Sequence, residues 1–279
     1  MLRIDTHQHL LYRDRFAYDW TASLPPLASA PFTLADYRQA AAGCDITGTI
    51  FMEVDVPEAR AADEARFFCQ LAENPANSLV GVIASCRPES EDFPAHLAAI
   101  QHPKLKGLRR ILHVAPDDVS QGALFRRHVA TLGKAGLTFD LCVLARQLPL
   151  AAALADAAPA TQLILDHCGV PDIAGGGLDP WREHVRDLSR RPNVACKISG
   201  IVAYAKPGAV TAAALRPYIG HVVACFGWDR LVWGSDWPVC NLTASLGDWV
   251  RLLDEILSGE PAANRAKLYE ANARRIYRL

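Results

Sequence analysis

The chain has 279 residues, of which 51% are hydrophobic and 21% charged, and its formal net charge is −1. This composition excludes disordered, fibrous and collagen-like proteins, because so many apolar side chains can bury a large core. Acidic and basic residues are balanced and interspersed, so we expect no nucleic-acid partner and no attraction to anionic membranes. A parallel α/β barrel reaches about 250 residues as one unit, so we expect a single domain over residues 1–279.

The cysteines and the amino terminus predict a cytoplasmic protein. The first ten residues carry Arg3 and Asp5 where a signal peptide needs an apolar run. The longest stretch without charged side chains, residues 20–35, contains three prolines and does not suit a membrane-spanning helix. The cysteines form no C-x-x-C pair and are predicted to be small, reduced core residues; they lie at positions 44, 69, 86, 142, 168, 196, 225 and 240.

Short apolar, β-branched segments alternate along the chain with alanine-rich amphipathic segments. The short segments predict eight strands, over residues 2–7, 48–53, 79–85, 105–109, 137–142, 162–167, 193–199 and 231–236. The segments between them predict helices over residues 34–42, 57–73, 92–100, 123–135, 148–157, 180–190 and 211–226, and a last helical region begins at residue 245. This alternation is typical of a parallel sheet covered by helices.

Eight strand–helix units predict a single (β/α)8 TIM-type barrel with its active site at the carboxyl ends of the strands. The alternative is an open doubly wound sheet, but no G-x-G-x-x-G or P-loop motif follows the first predicted strand. The loop of residues 10–32 is long for such a fold and carries Tyr12, Phe16, Tyr18 and Trp20. It is expected either to cover the site or to pack its aromatic side chains on the rim of the barrel.

Polar residues stand at most of the predicted strand ends. The first strand ends in THQH, where His7 and His9 are two residues apart and therefore point to the same side. Three imidazoles and one carboxylate from strands one, six and eight would converge at one face, which is costly without a ligand or a proton-transfer task. The candidates at the other strand ends are Glu53, Arg109, Arg110, Asp140, His167, Lys197, Ser199 and Asp236.

Each motif taken alone also has a purely structural interpretation. The paired histidines could cap a strand, and the aspartates of LDH (165–167) and GSDWP (234–238) could accept backbone hydrogen bonds in turns. Lys197 could neutralise Glu53 or Asp140 inside the barrel. The remaining histidines, at positions 96, 102, 113, 128, 184 and 221, are predicted to be ordinary surface or rim residues.

Taken together, the motifs resemble those of the amidohydrolase superfamily, in particular its amidohydrolase-2 branch of sugar lactonases and 2-pyrone-4,6-dicarboxylate lactonase-like enzymes. The resemblance spans nearly the whole chain and rests on THQH (6–9), GLR (107–109), LDH (165–167), NVACKISG (193–200), GSDWP (234–238) and the tail from 270 to 279. It implies a barrel whose central constellation is His7, His9, His167 and Asp236, with Asp236 as the general base.

The resemblance also bears on metal binding. Many members hold two metals through a carboxylated lysine at the end of strand four, where this chain has Arg109 or Arg110. A dinuclear centre is therefore not expected. The central constellation could bind one Zn²⁺ through three imidazoles and a carboxylate. It could also work without a metal, because a lactone carbonyl is more electrophilic than an amide and imidazole and guanidinium donors can stabilise its oxyanion.

The predicted activity is the hydrolytic opening of a sugar lactone by water that Asp236 activates. The mixture of polar side chains at the mouth suits a neutral aldono-lactone better than a dicarboxylate, because only two arginines are available. The resemblance suggests L-fucono-1,5-lactone or a related 6-deoxy sugar lactone. The alternatives are a metal-dependent decarboxylase or a dicarboxylate lactonase of the same superfamily, and a barrel that binds a ligand without turnover. The sequence leaves the oligomeric state open.

The residues predicted to contact the substrate are of two kinds, charged side chains and aromatic side chains. Arg109 is expected to contact the substrate or the oxyanion, since alternation along its strand turns it inward beside Gly107. A buried salt bridge is the structural alternative for this arginine. Aromatic side chains are expected to stack on the sugar ring or a methyl group, or else to pack on the rim. The full predicted set is Glu53, Arg109, Asp140, Lys197, Trp20, Tyr204 and Trp237.

Overall fold

Eight parallel strands form a barrel in which each strand pairs with the next one in the chain. The computed structural model describes residues 1–279. The barrel closes where the first strand meets the end of the last, because the N–H of Asp236 donates to the carbonyl of His7 at 2.8 Å and the N–H of His9 donates to the carbonyl of Trp237 at 2.8 Å. The (β/α)8 barrel is confirmed. In hydrogen-bonded order the strands are β1 (Arg3–Gln8), β2 (Ile46–Met52), β3 (Leu79–Ser85), β4 (Leu105–Ile111), β5 (Thr138–Cys142), β6 (Leu163–Leu165), β7 (Val194–Ile198) and β8 (Leu231–Trp233).

Helices follow every strand and cover the outside of the barrel. Thr33, Thr211 and Ser245 cap three of them by accepting a hydrogen bond from the first helical turn. The last predicted helical region is interrupted by Pro261 and by a wide turn at Lys267–Ala271. The helices are α1 (Leu34–Ala40), α2 (Ala61–Leu71), α3 (Phe93–Ala99), α4 (Ala123–Lys134), α5 (Leu148–Ala157), α6 (Trp181–Leu188), α7 (Ala212–Phe226), α8 (Leu246–Ile256), α9 (Ala262–Ala266) and α10 (Asn272–Tyr277).

Strands β6 and β8 end earlier than the sequence predicts. The sequence predicts that they run to His167 and Asp236, but they end at Leu165 and Trp233. The φ angles of His167 and Asp236 are +52° and +58°, in the left-handed region, where a strand cannot continue. Both side chains therefore stand on turns at the carboxyl edge of the barrel.

The interior of the barrel is apolar below its polar strand ends. Alternate residues of the strands, among them Ile4, Ile83 and Ile164, form this inner cluster. The side chains of Ile276 and Tyr277 from α10 join it. The apolar floor supports the polar residues at the opposite end of the strands.

The cysteines are core residues, as predicted. All eight are free thiols, and only Cys225 is not fully buried. Most of them belong to the large apolar cluster between the sheet and the helices.

None of the helices is both long enough and apolar enough to cross a membrane.

The long loop of residues 10–32 serves both predicted purposes. The ring of Phe16 packs edge-on against Phe67 of α2, with 5.8 Å between ring centroids. Trp20 instead donates its indole N–H to the carbonyl of Val54 at 3.0 Å and lines a cavity at the barrel mouth. One part of the loop therefore packs on the rim, and another part borders the site.

Candidate active site

A cavity of about 240 Å³ opens at the carboxyl ends of the strands, where barrel enzymes carry their active sites. A larger cavity of about 460 Å³ follows β3 but contains none of the predicted site residues. The smaller cavity has polar groups on one side and apolar side chains on the other. Its lining consists of His9, Trp20, Val54, Asp55, Arg109, Ile111, His113, Val114, Cys142, His167, Tyr204, Asp236 and Val239.

Asp236 and the two histidines of β1 converge at the base of this cavity. The Oδ1 atom of Asp236 lies 3.6 Å from Nε2 of His7 and 3.3 Å from Nε2 of His9. The Nδ1 atom of His9 is 3.1 Å from the carbonyl of Met52, which can only accept, so Nδ1 carries the proton. Nε2 of His9, the other ring nitrogen, therefore faces a carboxylate oxygen.

The turn that carries Asp236 is anchored by Asp5, a residue that the sequence analysis did not single out. Asp5 accepts hydrogen bonds from the N–H of Ser235 at 2.7 Å and from its hydroxyl at 2.5 Å. It also accepts from the hydroxyl of Tyr37 at 2.7 Å and from the N–H of His7 at 3.1 Å. One buried carboxylate thus fixes β1 and the turn after β8 relative to each other.

His167 is held by the turn after β6 and by the loop after β7. Its Nδ1 atom is 2.9 Å from the hydroxyl of Ser199. Gly200 has a φ of +63°, and a Cβ there would lie 2.4 Å from Nδ1 of His167 and 2.6 Å from Oδ2 of Asp236. Only glycine leaves this space and adopts this conformation without strain. Burial lowers the pKa of His167, so its ring is mainly neutral at neutral pH.

A fully buried group of charges lies beneath the cavity. The ammonium of Lys197 is 2.5 Å from Oδ1 of Asp140, 2.9 Å from Oδ1 of Asp166 and 3.2 Å from Nδ1 of His7. Burial would raise the pKa of Asp166, but Lys197 and His7 hold this pKa well below its usual value. Burial raises the pKa of Asp140 to about 7, although Lys197 opposes the change. Lys197 is therefore shared between two buried carboxyl groups.

This placement corrects the predicted substrate contacts of Asp140 and Lys197. Both side chains are fully buried and neither lines the cavity. The structural alternative, in which Lys197 neutralises Asp140, is present. Both residues belong to a layer of side chains below the one that a substrate can reach.

Arg109 makes the buried salt bridge that was its structural alternative, and it also lines the cavity, where the predicted substrate contact stays a prediction. Its Nε donates to Oε1 of Glu53 at 2.7 Å and its Nη2 donates to the carbonyl of Glu53 at 2.8 Å. The guanidinium also lines the cavity and lies 3.5 Å from Nε2 of His7 through Nη1. Glu53 itself is buried behind Arg109 and does not line the cavity, so its predicted substrate contact is also corrected. Burial would lower the pKa of Arg109, but Glu53 raises it, so the group stays cationic.

The three predicted aromatic contacts differ in position. Trp20 and Tyr204 line the cavity, and the ring of Tyr204 is 6.2 Å from that of His167 between centroids. Trp237 is buried, and its ring packs edge-on against Phe32 at 5.3 Å, outside the cavity. Its predicted stacking on a substrate is therefore corrected, because an apolar cluster encloses the indole.

Two residues in or near the site were assigned other roles from the sequence. The sequence offers Asp166 only as a turn residue that could accept backbone hydrogen bonds, but the structure places its Oδ1 3.4 Å from Nδ1 of His7. His113 was interpreted as an ordinary surface or rim residue, yet it lines the cavity. Arg109, Ile111 and His113 are alternate residues, so extending the alternation of β4 past its end predicts that His113 faces the same side as Arg109.

Comparison with known proteins gives the family. A family model described as "Amidohydrolase" matches residues 4–279. The chain belongs to the amidohydrolase family. It is similar to an L-fucono-1,5-lactonase of Burkholderia ambifaria, with 29% identity over 99% of this chain and 96% of the relative. It is also similar to an L-fucono-1,5-lactonase of Burkholderia multivorans, with 31% identity over 100% and 96%. A crystal structure of an amidohydrolase from Burkholderia multivorans with bound zinc matches with a TM-score of 0.89 and 30% identity, and the match covers 100% of both chains.

The donor atoms of this amidohydrolase fit a divalent cation. Nε2 of His9 and Oδ1 of Asp236 are both acceptors and lie 3.3 Å apart, so a proton or a cation between them is needed to offset their repulsion. His7, His9 and Asp236 bring one ligand atom each within 4.8 Å of one another. Two imidazoles and a carboxylate are suitable Zn²⁺ ligands. His167 belongs to a second group, with His7 and Asp166.

Replacing Arg109 by Met is expected to impair both stability and activity. The change leaves the buried Glu53 without its partner, which costs about 3 to 5 kcal/mol of unfolding free energy. The loss of a donor at the cavity wall is expected to lower kcat/KM by about a hundredfold. Thermal melting and steady-state kinetics of one preparation measure both effects.

Arg110→Met is the matched control for that variant. Arg110 is the next residue of β4 and pairs with Glu89 at 2.8 Å, but it does not line the cavity. Its replacement should change neither kcat/KM nor the melting temperature by much. If Arg109→Met melted and turned over like Arg110→Met, both roles of Arg109 would be refuted.

Proposed function

We propose that this amidohydrolase hydrolyses the ring ester of a sugar lactone to the open-chain sugar acid. The observation that carries the proposal is the position of Asp236 beside His7 and His9 at the base of a cavity that Arg109 also lines. The similarity to two L-fucono-1,5-lactonases over nearly full length supports the same reaction. The proposed substrate is L-fucono-1,5-lactone or a related 6-deoxy sugar lactone.

The cavity favours a neutral lactone over a dicarboxylate. The charge of Arg109 is neutralised by Glu53, and Arg110 is paired with Glu89 outside the cavity. The cavity wall carries the carboxylates of Asp55 and Asp236, which would repel a doubly charged anion. Its apolar side can take a methyl group and the carbon face of a sugar ring; this side is formed by Trp20, Val54, Ile111, Val114 and Val239.

In the proposed reaction, water adds to the lactone carbonyl and a single side chain acts as the base. Asp236 takes a proton from water as the water oxygen attacks the carbonyl carbon of the lactone. Arg109 and His167 stabilise the negative charge that forms on the carbonyl oxygen. The bond between the carbonyl carbon and the ring oxygen then breaks, and Asp236 returns the proton to the leaving oxygen. His7, His9 and Asp236 would hold a divalent cation, which would supply Lewis acidity to the carbonyl and to water.

The test is a panel of aldono-lactones assayed by acid release. We expect turnover of L-fucono-1,5-lactone well above its spontaneous hydrolysis, with one equivalent of a ring-opened acid as product. Dihydroxybenzoates and other aromatic acids serve as substrates for the decarboxylase alternative, which would release CO₂. Turnover of these acids without any lactone hydrolysis would refute the proposal in favour of a decarboxylase.

Elemental analysis is expected to give about one divalent metal ion per chain. The second donor group shares His7 with the first, and its Asp166 is already neutralised by Lys197. His9→Ala should lower the metal content, whereas His102→Ala, at the amino end of β4 and away from the cavity, should not. Two equivalents per chain, or full metal content in His9→Ala, would contradict this assignment.

A further inference from the structure

A histidine outside the predicted constellation borders the cavity on the side opposite to Asp236. His113 follows β4, and Asp236 follows β8; these strands are four positions apart in a ring of eight and therefore lie across the barrel from each other. The N–H groups of Leu112 and His113 donate to the carbonyl of Cys142 at 2.9 and 3.1 Å, which fixes the chain there. The imidazole of His113 thus has a defined place on the far wall.

The ring of His113 has one nitrogen in use and one free. Its Nδ1 atom is 3.1 Å from the sulfur of Cys142, and its Nε2 atom makes no hydrogen bond within the chain. Burial and the nearby Arg109 lower the pKa of His113 to about 4, and burial raises the pKa of the Cys142 thiol to about 12. Both groups are neutral at neutral pH, so they do not form the thiolate–imidazolium pair of a cysteine nucleophile.

A neutral imidazole bound to a thiol is suited to recognising a hydroxyl group. The thiol is a weak donor and a weak acceptor, so Nδ1 of His113 can accept or donate and Nε2 can take the complementary role. A sugar hydroxyl likewise both donates and accepts. A charged ligand, in contrast, would gain no charge pairing from these two neutral groups.

We infer that His113 determines substrate specificity by hydrogen-bonding, through Nε2, a ring hydroxyl of the lactone remote from the reacting carbonyl. The inference rests on the proposed lactonase function, in which the reacting carbonyl lies beside Asp236 and His9, across the cavity from His113. Arg109 belongs to β4, but its guanidinium reaches from there toward β1, with Nη1 3.5 Å from Nε2 of His7. His113 contacts the substrate in this assignment but takes no part in the transfer of protons.

The test compares a hydroxylated lactone with one that has no hydroxyl groups. Wild type, His113→Phe and His113→Gln are assayed with L-fucono-1,5-lactone and with δ-valerolactone. In His113→Phe we expect KM for the sugar lactone to rise about tenfold with kcat nearly unchanged, which is the loss of one hydrogen bond. Its kcat/KM for δ-valerolactone should stay the same. The amide of His113→Gln can hydrogen-bond a hydroxyl and should restore part of the loss.

One control variant and two outcomes separate the possible explanations. His102→Phe, at the amino end of β4 and away from the cavity, should behave like wild type with both lactones. An equal loss for both lactones in His113→Phe, or no loss for either, would overturn the inference while leaving the lactonase function intact. A wild-type enzyme inactive on both lactones would instead refute the proposed function.

A second measurement does not depend on the folding of any variant. Single-deoxy analogues of the sugar lactone are assayed with the wild-type enzyme. Removal of one hydroxyl remote from the carbonyl should lower kcat/KM of the wild-type enzyme about tenfold. With that deoxy analogue as substrate, wild type and His113→Gln should no longer differ. If no single hydroxyl group contributes in this way, the inference is wrong.

Discussion

Replacing Asp236 by Asn is expected to lower kcat for the sugar lactone by about a thousandfold while the fold is kept. The amide has nearly the same shape as the carboxylate but cannot take a proton from water. Asn is also one of the few residues that tolerate a φ of +58°, the backbone angle at this position. The turn should therefore be kept, and the loss reports the carboxylate of Asp236 as base and proposed metal ligand.

Asp55→Asn is the matched control for Asp236→Asn. Asp55 also lines the cavity and also has a left-handed backbone, with a φ of +50°. Asp55 makes no hydrogen bond or ion pair with the imidazoles of β1, and its charged partner is Arg87 at 4.0 Å, so its replacement should change kcat much less. Metal content is measured for both variants, because Asp236→Asn removes a proposed ligand as well as a base. Near-normal turnover by a folded Asp236→Asn variant would show that Asp236 is not the base.

The barrel and the central constellation were predictable because each rests on a short-range pattern. The strands are apolar, β-branched runs, and parallel strands bring their carboxyl ends to one face. His7 and Asp236 stand at such ends, and the structure places them 3.6 Å apart. What the pattern missed is the left-handed turn at the end of β6 and of β8. A glycine in a sequence indicates a possible positive φ, but His167 and Asp236 indicate it much less strongly.

The depth of a side chain in the barrel was the main source of error. Alternation tells which side of a strand a residue faces, but residues two apart on that side differ by about 7 Å in height. Asp140 lies in the middle of β5, whereas Cys142, at its end, lines the cavity. Lys197 likewise precedes the end of β7 and is fully buried. Counting residues from the strand end would have selected Cys142 and His113 for the cavity wall.

The buried charges beneath the cavity should dominate stability rather than substrate binding. Lys197→Met leaves Asp140 without its cation and leaves Asp166 with only the more distant Arg109, whose Nη1 lies 3.7 Å away. Breaking one side of a buried ion pair costs about 3 to 5 kcal/mol. For a domain of this size that corresponds to a fall in melting temperature of about 10 °C. Thermal melting monitored by circular dichroism measures this fall in melting temperature.

Two further variants show whether the effect is electrostatic. Lys267→Met removes the lysine of an exposed pair, in which the ammonium lies 2.7 Å from Asp229, and should leave the melting temperature almost unchanged. Adding Asp166→Asn to Lys197→Met removes the uncompensated negative charge and should recover part of the lost stability, since the two residues are in contact. Activity should not return in this double variant, because Asp166 also lies 3.4 Å from Nδ1 of His7 and helps to orient that ring. A Lys197→Met protein that melts like wild type would mean that the two carboxyl groups are protonated in the folded state and that Lys197 is not their required partner.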